Sequence, residues 1–142
     1  MAATAAISSF GTLLKIGDGA SPETFATIAE VKDVSGPALN SRTTEVTSHG
    51  SPHAVVEKII TLLEIGSITF DVNWVPSGVT HLQLIADWYA RTKRNFQILF
   101  PDAGTFTILF PAAISFEPSA PVEGALGASV TLEVLGDITY TP

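Results

Sequence analysis

Hydrophobic and polar residues alternate along most of this chain with the two-residue period of half-buried β-strands. The clearest case is residues 66–74, GSITFDVNW, in which apolar residues occupy the even positions from 68 to 74. Successive side chains of a strand point to opposite faces of a sheet, so this pattern predicts one buried face and one hydrated face. Residues 128–140, ASVTLEVLGDITY, show the same alternation and are predicted to form the last strand.

Shorter apolar runs bounded by turn residues predict the remaining strands. They cover residues 11–19, 25–36, 41–48, 57–63, 95–100, 105–110 and 113–118. Residues 95–110 read as a β-hairpin, because two near-copies of one pattern flank the turn residues Pro101 and Gly104. The segment 49–56 is interpreted as the tip between the strands at 41–48 and 57–63. Residues 113–118 are interpreted as the continuation of 105–110 after Pro111, so the sum is seven or eight mostly antiparallel strands.

Residues 79–94, VTHLQLIADWYARTKR, predict one α-helix. Thr80 and Gln83 have the spacing of a capping box at its start. An apolar stripe at helical spacing is formed by Leu82, Ile85 or Ala86, and Tyr89. The helix dipole favours cations at a C-terminal end, and three lie there in this sequence: Arg91, Lys93 and Arg94.

These elements predict a mainly β fold, an antiparallel β-sandwich or open barrel with one flanking α-helix. Residues 1–142 form a single domain in this interpretation, with a flexible N-terminal arm at 1–10 and a long inter-strand loop at 47–63. Trp74 is expected in the core because it is in phase with its strand. Trp88 lies beside the helical stripe and has no such assignment.

The composition argues against a protein that grips nucleic acid. The formal net charge is −7, and five acidic residues but no basic residue follow Arg94. Binding to phosphates needs Lys and Arg to displace counterions. There is no cysteine, so disulfides and thiol chemistry are excluded. The N-terminus lacks the pattern of a signal peptide, and no apolar run approaches the length of a membrane span.

No motif in the sequence predicts catalysis, a cofactor or a metal. His49 and His53 are four residues apart, but Gly50 and Pro52 between them oppose the helix that a metal site of this spacing needs. The segment GDGAS at 17–21 lacks the third glycine and the following helix of a phosphate loop. We find no serine nucleophile elbow. The residues therefore indicate a non-enzymatic binding or structural β domain.

Four segments in order resemble the major tail tube protein of long, non-contractile-tailed bacteriophages. They are GTLLKIGDGASPETFATIAEVKDVSGPALN, TTEVTSHGSP, GSITFDVNWVPSGVTHLQL and RNFQILFPDAGTFTILFPAAISFEPSAPVEGALGASVTLEVLGDIT. Together they cover about residues 11–140, and their order and spacing are more specific than any one of them. The chain departs from the family pattern after HGSP, where AVVEKIITLLEIGS is more apolar than the loop of its relatives.

The resemblance implies a virion structural protein that forms hexameric rings, which stack into a hollow tail tube. DNA passes through the lumen to the host cell without specific binding. The implied partners are further copies of the chain and the tape-measure, tail terminator and baseplate or tip proteins, with no membrane involved. The protein would be assembled in the host cytoplasm and located in the virion tail.

Two sets of site residues follow from the resemblance as expectations. The ring-stacking loop is expected at Thr47, Ser48, His49, Gly50, Ser51, Pro52 and His53, within a longer loop that ends near Val56. Lumen-lining candidates on polar strand faces are Asp71, Thr131 and Glu133. Such a wall is expected to be polar and net negative, so that phosphates do not adhere to it.

Three alternatives stay open at this point. The chain is a tube protein of a related contractile or secretion apparatus, or a monomeric β-sandwich that binds carbohydrate through Trp88 or Tyr89. An enzyme is the third alternative, and it needs a convergent set of catalytic residues that the sequence does not show.

Overall fold

A computed structural model describes residues 3–142 as an antiparallel β structure with one α-helix. The predicted fold class, mainly β with a single flanking helix, is confirmed. Within residues 3–142 there are ten strands rather than the predicted seven or eight, because two of the predicted strands are each divided by a turn. Met1 and Ala2, the first residues of the expected N-terminal arm, lie outside the described residues.

The strands fall into two groups along the chain. The first five are β1 (Leu13–Gly17), β2 (Phe25–Thr27), β3 (Val31–Ser35), β4 (Leu39–Glu45) and β5 (Lys58–Ile65). The others are β6 (Ile68–Asn73), β7 (Arg94–Leu99), β8 (Thr107–Ser119), β9 (Gly127–Val134) and β10 (Thr139–Thr141). The helix α1 (Val79–Ala90) lies between β6 and β7, and a short 3-10 turn covers Pro52–Ala54.

Eight strands form one sheet, whose main order is β2-β1-β7-β8-β9-β6-β3, with β10 paired to the start of β8. The core collects the even-numbered residues of these strands into one apolar cluster, from Leu14 on β1 to Phe70 on β6. Three strands separate β1 from β6 in the sheet, so the sheet must curl around this cluster. Leu84 of α1 is fully buried in the same cluster.

The alternation that predicted β6 and β9 is confirmed by burial. Ile68, Phe70 and Val72 are at most 1% exposed, and they pair directly with the core residues of β9. Phe96 on β7 and Phe110 on β8 stack with ring centroids 6.0 Å apart. Offset ring pairs of this kind add to the free energy gained by burial. Trp74 packs against the core edge-on to Phe116, as expected.

Besides shifts of two or three residues at other strand ends, three predicted strands are divided or joined differently in the structure. The segment 25–36 divides into β2 and β3, because the chain turns at Glu30, which has a φ of 60°. The strand predicted at 128–140 ends at Val134, and β10 turns back to pair with β8. Conversely, β8 runs unbroken through Pro111. Proline lacks only the N–H, and the Pro111 carbonyl still accepts a hydrogen bond from the Leu135 N–H at 3.0 Å.

The helix is shorter than predicted and has a different cap. It ends at Ala90, and Arg94 already belongs to β7. Gly78 is the N-cap residue, and no side chain caps the helix. The Thr80 hydroxyl instead accepts a hydrogen bond from the Ala29 N–H at 3.1 Å, so it attaches the helix to the β2–β3 turn.

Strands β4 and β5 form a separate two-stranded sheet, here called the hairpin arm (residues 39–65). Its tip covers residues 46–57, so residues 58–63 of the expected 47–63 loop belong to β5. The arm joins the sheet at a narrow neck, where the Gly66 N–H donates to the Ala38 carbonyl at 2.7 Å. A Cβ on Gly66 would lie 2.9 Å from the Ala38 Cβ, so glycine is required for this close approach.

Candidate assembly surfaces

The hairpin arm exposes aliphatic side chains that have no core to pack against in their own subunit. Ile60 and Leu63 on β5 are 69% and 78% exposed, and Leu39 on β4 is 64% exposed. Only Ile65, at the neck, is half-buried. An isolated two-stranded hairpin is at best marginally stable in water, and exposed apolar surface of this kind marks an interaction site.

A β-bulge arranges these side chains on one face of the arm. Ser41 pairs with Leu63 and Thr43 pairs with Ile60, so β5 has one residue more than β4 between the two pairs. An extra residue reverses the alternation of a strand. The bulge therefore places Ile60 on the same face as Leu63 and Leu39. The opposite face carries the ion pair of Arg42 and Glu64 and also Ile59, which pairs with Thr44 and is 52% exposed.

The tip of the arm, which contains the expected stacking residues 47–53, is ordered by its own hydrogen bonds. The Glu57 N–H donates to the Thr47 hydroxyl at 2.8 Å, and the Ser48 N–H donates to the Ser51 hydroxyl at 3.0 Å. His49 and His53 are exposed on it. The tip is thus a defined loop at the far end of an arm that projects from the sheet.

The three lumen candidates lie on one face of the sheet, opposite the core. Asp71 pairs with Ser129 and Thr69 pairs with Thr131 across β6 and β9, while Glu133 continues the same face of β9. Asp71 and Glu133 are exposed, and Thr131 is half-buried. The facing residues of β8 include Ser115 and Glu117. This surface, here called the polar face, carries carboxylates and hydroxyls on β6, β8 and the paired part of β9.

The helix turns a different side to the core from the one its apolar pattern suggests. Leu82 and Tyr89 of the expected stripe are 50% and 80% exposed, whereas His81 and Asp87 are buried. Both buried polar residues have partners. The His81 Nδ1 accepts from the Val75 N–H at 3.1 Å, and its Nε2 donates to the Ala29 carbonyl at 2.7 Å.

Asp87 holds the end of the helix to the start of β7. Its carboxylate accepts a hydrogen bond from Gln83 at 2.8 Å and lies 3.0 Å from the Arg94 Nε. The ion pair compensates the buried charges, although Asp87 Oδ2 and Arg94 Nε make no hydrogen bond within residues 3–142. The apolar spacing places His81 and Asp87 on the solvent side, so it assigns the wrong face of this helix to the core. No other pattern in the sequence identifies the correct face.

The segment GDGASPE forms a closed turn rather than a phosphate loop. The Asp18 carboxylate accepts hydrogen bonds from the Ala20 and Thr24 N–H groups, at 2.9 and 3.1 Å. These bonds hold the pKa of Asp18 below its ordinary value, and Arg94 contributes to the same shift. Asn95 on β7 donates to Glu23 at 2.9 Å and attaches the turn to the sheet.

In residues 3–142, no three His, Asp or Glu side chains lie close enough together to hold a metal ion. None of the helices in this part of the chain is long and apolar enough to cross a membrane. Grooves of about 360 and 270 Å³ flank Trp88, and both are open to solvent.

Comparison with solved structures shows the fold. The tail of an empty gene transfer agent particle, computed with helical refinement and C6 symmetry, has a TM-score of 0.81 at 21% identity, over 96% of this chain and all of that one. The sheath-tube complex of an extracellular contractile injection system has a TM-score of 0.70 at 16% identity, over 96% and 92% of the two chains. The SPP1 tail tube has a TM-score of 0.66 at 17% identity, over 91% and 75%.

A search of curated protein sequences gives no significant match. A family model described as lambda phage tail tube protein, TTP, matches residues 10–141. That range contains every strand, the helix and the hairpin arm. The chain therefore belongs to the lambda phage tail tube protein family and is a structural component of a tail tube.

Proposed function

We propose that this chain assembles into hexameric rings, which stack into a hollow tube that conducts DNA from the capsid to the host cell. The observation that carries the proposal is the hairpin arm, with its aliphatic face at Leu39, Ile60 and Leu63 exposed in the single subunit. Burial of apolar surface is the main driving force of association. The gene transfer agent tail of the same fold has C6 symmetry, which supports six subunits in each ring.

The arm also supports the proposed role of Thr47–His53 in ring stacking. These residues lie at the end of the arm, and hydrogen bonds join Thr47 to Glu57 and Ser48 to Ser51 across the tip. Deletion of 47–53, with the strands rejoined by a short glycine turn, is expected to give rings that do not stack. Tubes of unchanged length and stability would contradict this role.

The polar face supports the proposed lumen lining by Asp71, Thr131 and Glu133. A wall with carboxylates repels phosphates, so DNA slides past without being held. Side chains along these strands alternate between the polar face and the core. The residues that would face DNA and the residues that stabilise the subunit therefore belong to the same strands. The wall is then rigid because its reverse side is the packed core.

The proposal includes no catalytic role and no cofactor. It places the protein in the virion tail after assembly in the host cytoplasm, with tape-measure, terminator and tip proteins as its partners. Residues 3–10 contain no helix or strand and are exposed, and Ile7 and Phe10 are among their apolar side chains. We expect this part of the N-terminal arm to become ordered only on assembly. Hydrogen exchange that shows it protected in the free subunit would contradict that.

Negative-stain electron microscopy of the concentrated protein, with light scattering, tests the proposal. Rings or hollow tubes are expected. A monodisperse subunit at every concentration, with no rings after addition of tail tip proteins, would contradict it. A glycan screen would then test the alternative of a carbohydrate-binding module that uses Trp88 or Tyr89.

The likeness to a contractile sheath-tube complex favours one second candidate, the inner tube of a contractile apparatus. A sheath protein would then coat the outside of the tube. Isolation of the native particle distinguishes the two candidates, because a contractile particle contains a second major protein in equal number. A tube with no such coat supports the non-contractile tail.

A further inference from the structure

The turn between β8 and β9, here called the β8–β9 tip (residues 120–126), projects an apolar side chain into solvent. Val122 is fully exposed at its end. The turn is compact, because a Cβ on Gly124 would lie 3.0 Å from the Pro121 ring. Its base is fixed by the Trp74 N–H, which donates to the Leu126 carbonyl at 3.0 Å. A fully exposed valine on a rigid turn has no role in the folding of its own subunit.

A groove beside Trp88 has a shape and chemistry that match this tip. The Trp88 groove is about 270 Å³ in volume, and Ile114 and Leu135 supply apolar surface to it. Trp88 and Leu135 are 56% and 49% exposed. A closed cavity of roughly 150 Å³ holds a benzene ring, so the groove has room for a valine side chain.

The charges of the two surfaces are complementary. Glu123 follows Val122 on the tip, while Arg91 and Lys93 line the groove. Within residues 3–142 none of these three side chains has an ion-pair partner. Asp87, which also lines the groove, pairs with Arg94 at 3.0 Å, and Glu133 lies opposite the lining residue Ala113. The groove thus presents two free cations to an anionic tip.

The tip and the groove lie at opposite ends of the same pair of strands. The groove is beside Ala113 and Leu135, and the tip begins after Ser119. Six residues of strand span roughly 20 Å, so the tip cannot reach the groove of its own subunit. Two complementary surfaces at opposite ends of one molecule form head-to-tail contacts, which generate rings or open stacks.

We propose that the β8–β9 tip of one subunit docks into the Trp88 groove of a second copy, with Val122 against Trp88 and Leu135, and Glu123 beside Arg91 and Lys93. This contact is distinct from the one proposed for the hairpin arm. The tip-and-groove contact rests on the proposed function in one respect: its partner is another copy of this chain.

Cysteine cross-linking tests the contact, because the chain has no cysteine of its own. The double variant Val122→Cys/Leu135→Cys is expected to give a ladder of disulfide-linked multimers under mild oxidation. The single variants can give no more than dimers and serve as controls. A ladder that ends at six places the contact within a ring, and a longer ladder places it between rings. Multimers no more abundant than in the single variants would overturn the proposal.

A charge swap gives a second test with a matched control. Glu123→Lys is expected to raise the critical concentration for assembly by about tenfold, the effect of a 1.4 kcal/mol change. Glu123→Lys/Lys93→Glu keeps the net charge of the parent chain and is expected to recover assembly. Glu123→Lys/Lys15→Glu has the same net charge but no matched pair. Equal recovery by both double variants would overturn the proposal.

The two proposals fail in different ways. If the parent chain forms tubes but the double cysteine variant cross-links no more than the single variants, the tip-and-groove contact is refuted and the proposed tube is not. A cross-linked ladder without rings or tubes would support the contact and refute the tube.

Discussion

Strands β5 and β6 follow each other in the chain and are similarly aliphatic, yet they have opposite environments. Ile68, Phe70 and Val72 of β6 are at most 1% exposed, whereas Ile60 and Leu63 of β5 are more than two-thirds exposed. Both segments have a strong preference for strands. Apolar composition therefore predicts that a segment forms a strand. It does not predict whether the core of the same subunit covers that strand.

The difference has a physical cause in the sheet. Strand β6 is paired on both sides, with β3 and β9, and one of its faces packs on the core. Strand β5 pairs only with β4, which is exposed along its whole length. The arm has no layer to cover it. Within its own subunit, the apolar face of the arm therefore has nothing to pack against.

The largest effect is expected from Leu132→Ala in the sheet, where the side chain is fully buried. Removal of these methyl groups should lower the free energy of unfolding of the subunit by about 2–5 kcal/mol. Urea denaturation of the unassembled subunit measures it. A loss below about 1 kcal/mol would show that the sheet has no well-packed core. The contrast between the buried sheet and the exposed hairpin arm would then be wrong.

The same substitution in the arm, Leu63→Ala, is expected to act on assembly instead. The free energy of unfolding of the subunit should change by no more than about 0.5 kcal/mol, as for other exposed sites, while tubes are lost in electron microscopy. Leu63→Met conserves volume and is the control that should still assemble. Tubes of normal length from Leu63→Ala would contradict the assigned role of the arm.

A smaller effect is expected on the polar face. Asp71→Lys/Glu133→Lys should assemble normally, but the tubes should bind DNA about tenfold more tightly at low salt, with the difference lost as salt rises. Binding of labelled DNA to purified tubes measures it. The Asn/Gln variants at these positions are the control for loss of charge alone. Unchanged DNA binding and ejection would place this face outside the lumen.

The smallest effect concerns the turn at Asp18, which is outside both regions of the comparison. Its pKa is lowered by the N–H groups of Ala20 and Thr24. Because the folded state favours the charged form, this stabilisation is present above the ordinary value of 3.8 and is lost as the pH falls through the lower, folded value. The difference in Tm between the parent chain and Asp18→Asn should shrink below pH 3.8. A constant difference would contradict the role of the charge.

The sequence predicted those parts of the fold that depend on local alternation. Strands β6 and β9 and the hairpin of β7 and β8 were expected and are observed, because each buries one face on the subunit's own core. The orientation of the helix was not predictable, since the burial of His81 and Asp87 depends on partners outside the helix, the Ala29 carbonyl and Arg94. The exposure of Ile60 and Leu63 was not predictable either, because the sequence pattern does not show that the sheet of the same subunit leaves them uncovered.

The candidate surfaces show the same limit. Asp71 and Glu133 could be placed on a polar face from alternation alone, because the period of a strand determines which residues share a side. The Trp88 groove could not be predicted from alternation, since it depends on the contact of the helix end with Ile114 and Leu135. Residues distant in sequence meet there only after the sheet has curled.

The central claim, that the hairpin arm is stabilised by a second copy, is tested most directly by hydrogen–deuterium exchange of the free subunit and of the tube. Amides of the arm, residues 39–65, are expected to exchange rapidly in the subunit and to become protected in the tube. Those in the parts of β8 and β9 that pair with each other should be protected in both. Equal protection of the arm in the two states would contradict the claim.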